Sequence, residues 1–390
     1  MKKMRKSIAR VMDDAVDRGK TPSALALVWQ KDDVSIIYGS GHADIAQNTP
    51  ICRDTLFRLY SLTKPLTAVA AMMLVECGEL DLLSPVSDFL EGFQDQRVAV
   101  GDTETVPVKR PVQVRDLFTM TSGLCYPGDG TPAERAAAEL FDAFKQETDQ
   151  GAPPDTLAVA NRIGRLPLAF HPGESWLYGT SADILGAVVE VITGKPLDKF
   201  MKKALFAPLG MDDTDFYVPE EKQKRLATLY QHQDGGLVPY AGSKHDPNTC
   251  LSKPAYISGG GGAVSTIDDM LAFARMLLGK GSLGKTQILK PISVEWLTQN
   301  HLDAKQLASI TFDTMDGYGY GGLMRVLQDP AMSYSLGVSG EFGWDGWSGT
   351  YLTVCPEKEL IILVMQQCAD AVITPLVRKI RNIVYSSMLS

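Results

Sequence analysis

The sequence predicts an α/β (α+β) protein: one sheet assembled from both chain ends, helices on its faces, and a middle that is mostly helical or irregular. Three observations predict it. Near the start, Ala24–Trp29 and Val34–Tyr38 are apolar runs that read as a hairpin turning at Lys31, Asp32 and Asp33. Near the end, Phe342–Gly346, Thr350–Cys355 and Leu360–Gln366 are strand-like and separated by turn residues. Between them, helical periods cover Pro132–Thr148, Asp155–Arg162, Ala182–Ile192 and Ile267–Leu278.

The remaining elements follow the same rules. Ser7–Val16 is helical in period and charged throughout, which fits a helix packed on the domain. Thr55–Tyr60 is extended and runs into a helix over Pro65–Cys77. That helix is apolar nearly all round from Leu66 to Val75, so it should be buried, and Gly78 ends it. Leu117–Leu124 reads as a helix end running into a loop, and Pro375–Met388 as a helix. The long polar connector over 214–254 is of a kind uncommon in compact domains unless it lines a site.

Hydrophobic residues make up 45% of the 390, enough for a large core. The net charge of −8, with no basic stripe beyond Lys2, Lys3, Arg5 and Lys6, argues against nucleic acid as a partner. No apolar run approaches the ~20 residues of a membrane span. The six cysteines lack C-x-x-C spacing, and Cys77, Cys355 and Cys368 read as buried thiols. Together with the missing apolar core of a secretory signal, this points to a reducing cytoplasm. The histidines, at 42, 171, 232, 245 and 301, show neither H-E-x-x-H nor any other metal spacing. Nothing in the sequence specifies an oligomeric state.

The most informative motif is Ser61-Leu62-Thr63-Lys64. Serine and lysine three residues apart at a helix start lie side by side. A hydroxyl beside an amine is an activated nucleophile when the amine is neutral or relays a proton. A second S-x-x-K, Ser282–Lys285, lies in a glycine-rich connector with nothing to hold it rigid, and reads as an accident. Tyr178-Gly179-Thr180 places a phenol just ahead of a helix. A phenol titrates near 10 and acts as a base only if cations stabilise its phenolate, and Lys64 is the candidate cation. Trp344-Asp345-Gly346 ends a strand, and the following Trp347 N–H could join the Ser61 N–H in an oxyanion hole. Trp347-Ser348-Gly349 repeats the W-x-G pattern. Trp344 is preferred, because Gly349-Thr350-Tyr351 then starts the next strand. Asp345 reads as an exposed turn aspartate.

These segments resemble the class C β-lactamase family and its esterase branch, the family VIII carboxylesterases. The resemblance runs in order through Phe57–Lys64, Leu117–Leu124, Pro172–Gly186, Gly259–Phe273 and Phe342–Pro356. It implies a β-lactamase/penicillin-binding-protein-like fold: an antiparallel sheet domain from residues 1–78 and 312–390, a large mostly helical inserted domain over 79–311, and an active site in the cleft between them. It implies Ser61 as nucleophile, Lys64 as its proton-handling neighbour, Tyr178 as general base and then acid, and no metal or cofactor. It also places substrate beside Thr180, Trp344, Asp345 and Gly346. Thr180 stands where the lactamases have an asparagine that helps bind the substrate amide, and Trp344 where they have a lysine that attracts the β-lactam carboxylate. Both departures favour a less polar acyl substrate. The expected activity is an esterase working through an acyl-enzyme on small carboxylic esters. Weak β-lactam hydrolysis, acyl transfer and D-amino-acid peptide cleavage are the alternatives on the same centre.

Competing motifs are weaker. Gly279–Thr286 matches the P-loop pattern, but it follows a helical period rather than a strand, and Pro291 comes soon after. Gly259–Gly262 reads as flexible backbone lining a cleft, and His171 as a solvated loop residue. No G-x-S-x-G occurs. A purely binding role predicts loss of the serine, lysine or tyrosine, and all three are present.

Overall fold

The computed structural model describes residues 2–31, 33–240, 250–371 and 373–388. Asp32 in the expected turn, His245, and residues 241–249 of the long connector lie outside the described residues.

An antiparallel sheet of eight strands is built from both parts of the chain. The N-terminal part supplies β1 (Ser23–Gln30), β2 (Asp33–Asp44) and β3 (Thr49–Pro50). The C-terminal part supplies β4 (Tyr318–Tyr320), β5 (Arg325–Leu327), β6 (Phe342–Asp345), β7 (Tyr351–Cys355) and β8 (Leu360–Met365). Their spatial order is β4-β5-β6-β7-β8-β1-β2-β3. The two parts are joined where β1 pairs with β8, from Leu25 opposite Met365 to Gln30 opposite Leu360.

Five longer helices matter for the site and the sheet: α1 (Lys2–Asp17), α2 (Lys64–Glu76), α3 (Ser181–Thr193), α4 (Ile267–Leu278) and α5 (Pro375–Ser387). Side chains alternate across a strand, so β1 has two apolar faces. Ala24, Ala26 and Val28 join Met4, Ile8 and Met12 of α1 and Leu376, Val377 and Ile380 of α5. Leu25, Leu27 and Trp29 face the other way, into the core that also holds α2, α3 and α4. This two-sided cover is why β8 reads as an unbroken apolar run, with all six residues buried. Each fully buried Leu or Ile there is worth about 1.5–3 kcal/mol.

Phe57–Arg58 pairs antiparallel with Val264–Ser265, which fixes the entry to α2 against the entry to α4. Cys77 corrects an expectation. It is exposed, because it caps α2 where the helix leaves the core, whereas Cys355 and Cys368 are buried as expected. Among the described residues, no helix is long and apolar enough to cross a membrane.

Candidate active site

Ser61 sits in a short 3-10 turn, Tyr60–Thr63, that leads directly into α2. Tyr60 adopts φ 47°, in the left-handed region that a bulky residue rarely occupies. That conformation turns the chain sharply at the entrance to the helix. Lys64, the first residue of α2, is completely buried. Its amine donates to Ser61 Oγ at 3.0 Å, to Tyr126 Oη at 2.9 Å and to the Gly260 carbonyl at 2.7 Å. Burial pulls its pKa from 10.5 down to about 7, against the opposing negative charges of Asp183 and Asp345.

Tyr178 lies among rings: its centroid is 5.4 Å from Trp344, 5.6 Å from Tyr126 and 5.4 Å from Phe312. Its hydroxyl meets the Ser61 hydroxyl and accepts the Trp344 indole N–H at 3.2 Å. Burial raises the phenol well above its ordinary value, and those two hydrogen bonds only partly offset the rise. The Lys64 ammonium lies 4.7 Å from the Tyr178 ring centroid, over its face. Among the described residues, its hydrogen bonds go to Ser61, Tyr126 and Gly260. This differs from the expected arrangement, in which Lys64 stabilises a Tyr178 phenolate. Desolvation keeps the phenol protonated and leaves the amine as the group that titrates near neutrality.

The third motif is bolted to the segment preceding Ser61. Thr350 Oγ1 donates to the Leu59 carbonyl at 2.9 Å, and the Gly346 N–H donates to the Thr350 carbonyl at 2.8 Å. A Cβ on Gly346 would stand 2.2 Å from the Leu59 oxygen, so only glycine permits this approach. The Trp347 ring is held against Tyr60, with centroids 5.2 Å apart, and its indole N–H donates to Asp370 at 2.6 Å. Among the described residues, no backbone carbonyl outside the helical turn accepts from the Ser61 or the Trp347 N–H.

A cavity of about 470 Å³ opens at Ser61, and Tyr178, Trp344, Asp345 and Trp347 stand in its wall. Half of its lining residues are aromatic. Gly260 and Gly261 line it, in keeping with the expected role of that glycine run. Two expected substrate contacts, Thr180 and Gly346, stand outside this lining. Thr180 is 1% exposed at the head of α3 and lies outside the lining, because its side chain is covered by packing. Gly346 is also outside it, being pressed against Leu59.

Asp345 corrects the expectation of an exposed turn aspartate. It is buried and paired with Arg325 of β5, which is itself 2% exposed. The rings of Trp344 and Tyr351 lie 5.4 and 5.3 Å from the Arg325 guanidinium. A turn signal alone cannot reveal a partner arriving from the neighbouring strand.

Sequence reasoning missed Tyr126, Arg325 and Asp183. The last stands in the cavity wall and accepts from Tyr256, Ser258 and Gly260. None has a local signal, since each partner is far away in the chain. The P-loop-like segment forms a small hairpin, Ser282–Leu283 against Thr286–Gln287, after α4 rather than between a strand and a helix. The second S-x-x-K lies on that hairpin. His171 accepts from the Lys109 N–H at 3.3 Å and lies outside the cavity lining. Among the described residues, no cluster of His, Cys, Asp or Glu could hold a metal ion.

A sequence profile of the family described as Beta-lactamase matches residues 8–372. The chain belongs to this family. Within the Beta-lactamase family it is 34% identical to protein Rv1367c of Mycobacterium tuberculosis over 372 residues, covering 92% of this chain and 88% of that protein. It is 31% identical to esterase EstB of Burkholderia gladioli over 398 residues, covering 96% and 94%. Among solved structures, EstCE1, described as a hydrolase with promiscuous acyltransferase activity, superposes with a TM-score of 0.83. The identity is 25%, over 98% of this chain and 99% of that one.

Proposed function

We propose that this Beta-lactamase-family chain is a serine hydrolase that cleaves small, uncharged carboxylic esters through an acyl-enzyme on Ser61. One observation carries the reading: a completely buried lysine amine, titrating near 7, lies 3.0 Å from Ser61 Oγ. Similarity to esterase EstB and to EstCE1 supports the reaction class.

In the first step Ser61 Oγ attacks the ester carbonyl carbon and its proton passes to neutral Lys64. The Ser61 and Trp347 N–H groups hold the oxyanion, and each such donor is typically worth about 3 kcal/mol. Collapse expels the alkoxide, which takes its proton from Tyr178, and Lys64 restores the phenol. Water then attacks the acyl-enzyme by the same route in reverse. Positioned proton transfer of this kind contributes about 10²–10⁴-fold.

The aromatic lining favours flat or apolar acyl and alcohol groups. Arg325 is already paired with Asp345, so it is not an open cation for a substrate carboxylate. Both points place esters ahead of β-lactams. Transfer of the acyl group to an alcohol is the second reading, favoured by the likeness to EstCE1. We also assign residues 1–78 and 312–390 to a sheet domain and 79–311 to an inserted domain. The six unpaired cysteines favour a reducing, cytoplasmic setting.

The test is intact-mass analysis after mixing with an aryl ester, a fluorophosphonate and a β-lactam, with Ser61→Ala alongside. An adduct of acyl or phosphonyl mass on the wild-type chain, absent from the variant, is expected. Labelling that persists in Ser61→Ala would move the nucleophile elsewhere.

A further inference from the structure

Asp183 lies on α3, five positions beyond Tyr178, and is 4% exposed in the cavity wall. A single oxygen, Oδ1, accepts three hydrogen bonds: from Tyr256 Oη at 2.6 Å, from Ser258 Oγ at 2.6 Å and from the Gly260 N–H at 3.0 Å. All three donors belong to the loop that precedes β-pairing at Val264–Ser265. The next link is short: the carbonyl of the same Gly260 accepts the Lys64 amine at 2.7 Å. Close approach is obligatory here, since a Cβ on Gly260 would lie 2.4 Å from Asp183 Oδ2. Thr67 Oγ1 donates to the Gly259 carbonyl at 2.7 Å, which holds the other side of the loop to α2.

A lysine side chain has four rotatable bonds, and burial alone does not aim its amine. Three acceptors fix the Lys64 amine, and one of them is the Gly260 carbonyl. That carbonyl is a backbone group in a run of four glycines, Gly259–Gly262, whose intrinsic conformational freedom is the highest of any residue type. Something must hold it. We propose that Asp183 is the positioning residue of the catalytic centre: by gathering Tyr256, Ser258 and the Gly260 N–H onto one carboxylate oxygen, it sets the Gly260 carbonyl that aims the Lys64 amine at Ser61. It acts through the loop and takes no part in the covalent steps. The inference rests on the ester-hydrolase reading of Ser61 and deepens it.

The groups facing the Lys64 amine are Ser61 on its own turn, Tyr126, Tyr178, the Gly260 carbonyl, and the negative charges of Asp183 and Asp345. Removing the Asp183 charge while keeping an acceptor oxygen therefore makes a specific mark. In Asp183→Asn the loop stays tethered, and the neutral form of Lys64 persists to lower pH. In Asp183→Ala the tether itself is lost.

The experiment measures two rates on the full chain: labelling of Ser61 by an uncharged fluorophosphonate, and steady-state hydrolysis of an aryl acetate across pH. Asp183→Ala is expected to slow labelling and kcat about 100-fold, with KM within about twofold of wild type. Asp183→Asn is expected to recover to within about tenfold, with the acid limb of its profile displaced about one pH unit downward. Tyr256→Phe and Ser258→Ala, which each remove one donor, should fall between wild type and Asp183→Ala. They and Asp183→Asn decide the matter if Asp183→Ala does not fold. Asp183 variants labelled at the wild-type rate with an unmoved profile would overturn the inference, as would a raised KM at unchanged kcat. A wild-type chain that reacts with neither reagent at Ser61 would instead overturn the ester-hydrolase reading.

Discussion

The indole N–H of Trp344 donates to the phenol oxygen of Tyr178 at 3.2 Å, and the two rings lie 5.4 Å apart. The W-x-G motif thus reaches the centre through the side chain of its first residue as well as through the backbone beyond its last. With that oxygen accepting from Trp344, the phenol is held beside Ser61. Trp344→Phe keeps the ring contacts with Tyr178 and with Tyr320, 5.2 Å away, and removes only the donor. One hydrogen bond of about 1 kcal/mol corresponds to a kcat lower by about 5–10-fold, with little change in KM. Steady-state kinetics on an aryl ester check this, and an unchanged kcat would mean the contact orients nothing.

The pH profile separates Lys64 from Tyr178. Lys64 must lose its proton to act as base, and burial sets its pKa at about 7. Activity should therefore rise with pH through about 7 and level off above it. Tyr178 must keep its proton, and burial pushes its pKa above the ordinary 10.0, so no falling limb belongs to it below that value. A kcat/KM profile with no rise near pH 7 and a rise only above pH 9, in a chain still folded, would restore Tyr178 as the base.

The same burial has a consequence for stability. Lys64 titrates near 7 in the folded chain and near 10.5 when exposed. Between those values the unfolded chain binds the extra proton, so stability rises with pH across that window, and the full penalty applies below about 7. Lys64→Met removes the buried amine at nearly the same volume. It should abolish hydrolysis and stabilise the chain at pH 7 by about 2–4 kcal/mol, less the hydrogen bonds it gives up. The difference should shrink as pH approaches 10.5, as urea unfolding at several pH values would reveal. A destabilised variant at pH 7 would mean the three acceptors outweigh desolvation.

What was legible in the chain followed from how each feature is encoded. β8 and α2 are covered on all sides, so burial is written as unbroken apolar runs that reading by period detects. β4 and β5 are three residues each and include Gly319, so they carry no period. Ser61 and Lys64 were legible because helix geometry makes a three-residue spacing a contact. Tyr178 stood out as a phenol just ahead of a helix and Trp344 as part of a motif ending a strand, and the resemblance gave them their roles. Tyr126, Asp183 and Arg325 were invisible because their roles exist only after distant segments meet: Tyr126 with Lys64, Asp183 with Gly260, Arg325 with Asp345. Asp345 itself was misread because Asp-Gly is a turn signal, and turn chemistry says nothing about burial.

Tyr126 supplies one of the three acceptors of the Lys64 amine, at 2.9 Å, and its own ring lies 5.6 Å from that of Tyr178. Tyr126→Phe removes the oxygen and keeps the ring. The amine then has two partners, so kcat should drop about tenfold while the chain remains folded. The rate of Ser61 phosphonylation should fall in parallel, since it depends on the same proton transfer. Slower turnover with normal phosphonylation would place Tyr126 in deacylation instead.

Asp345 and Arg325 form a buried ion pair in the cavity wall. Together they present no net charge. Asp345→Asn leaves the guanidinium buried among Trp344, Tyr351 and Tyr318 with its counter-ion gone. Breaking such a pair by removing one partner typically destabilises by about 3–5 kcal/mol. The uncompensated cation should also draw an anion into the cavity. KM for an ester bearing a carboxylate should therefore fall relative to its methyl-ester analogue, in a variant less stable to heat than wild type. Replacing both residues, Asp345→Asn with Arg325→Met, removes the stranded charge and should return both quantities towards wild type. If the single variant gained no preference for the carboxylate, the pair would be a structural tie with no hold on specificity.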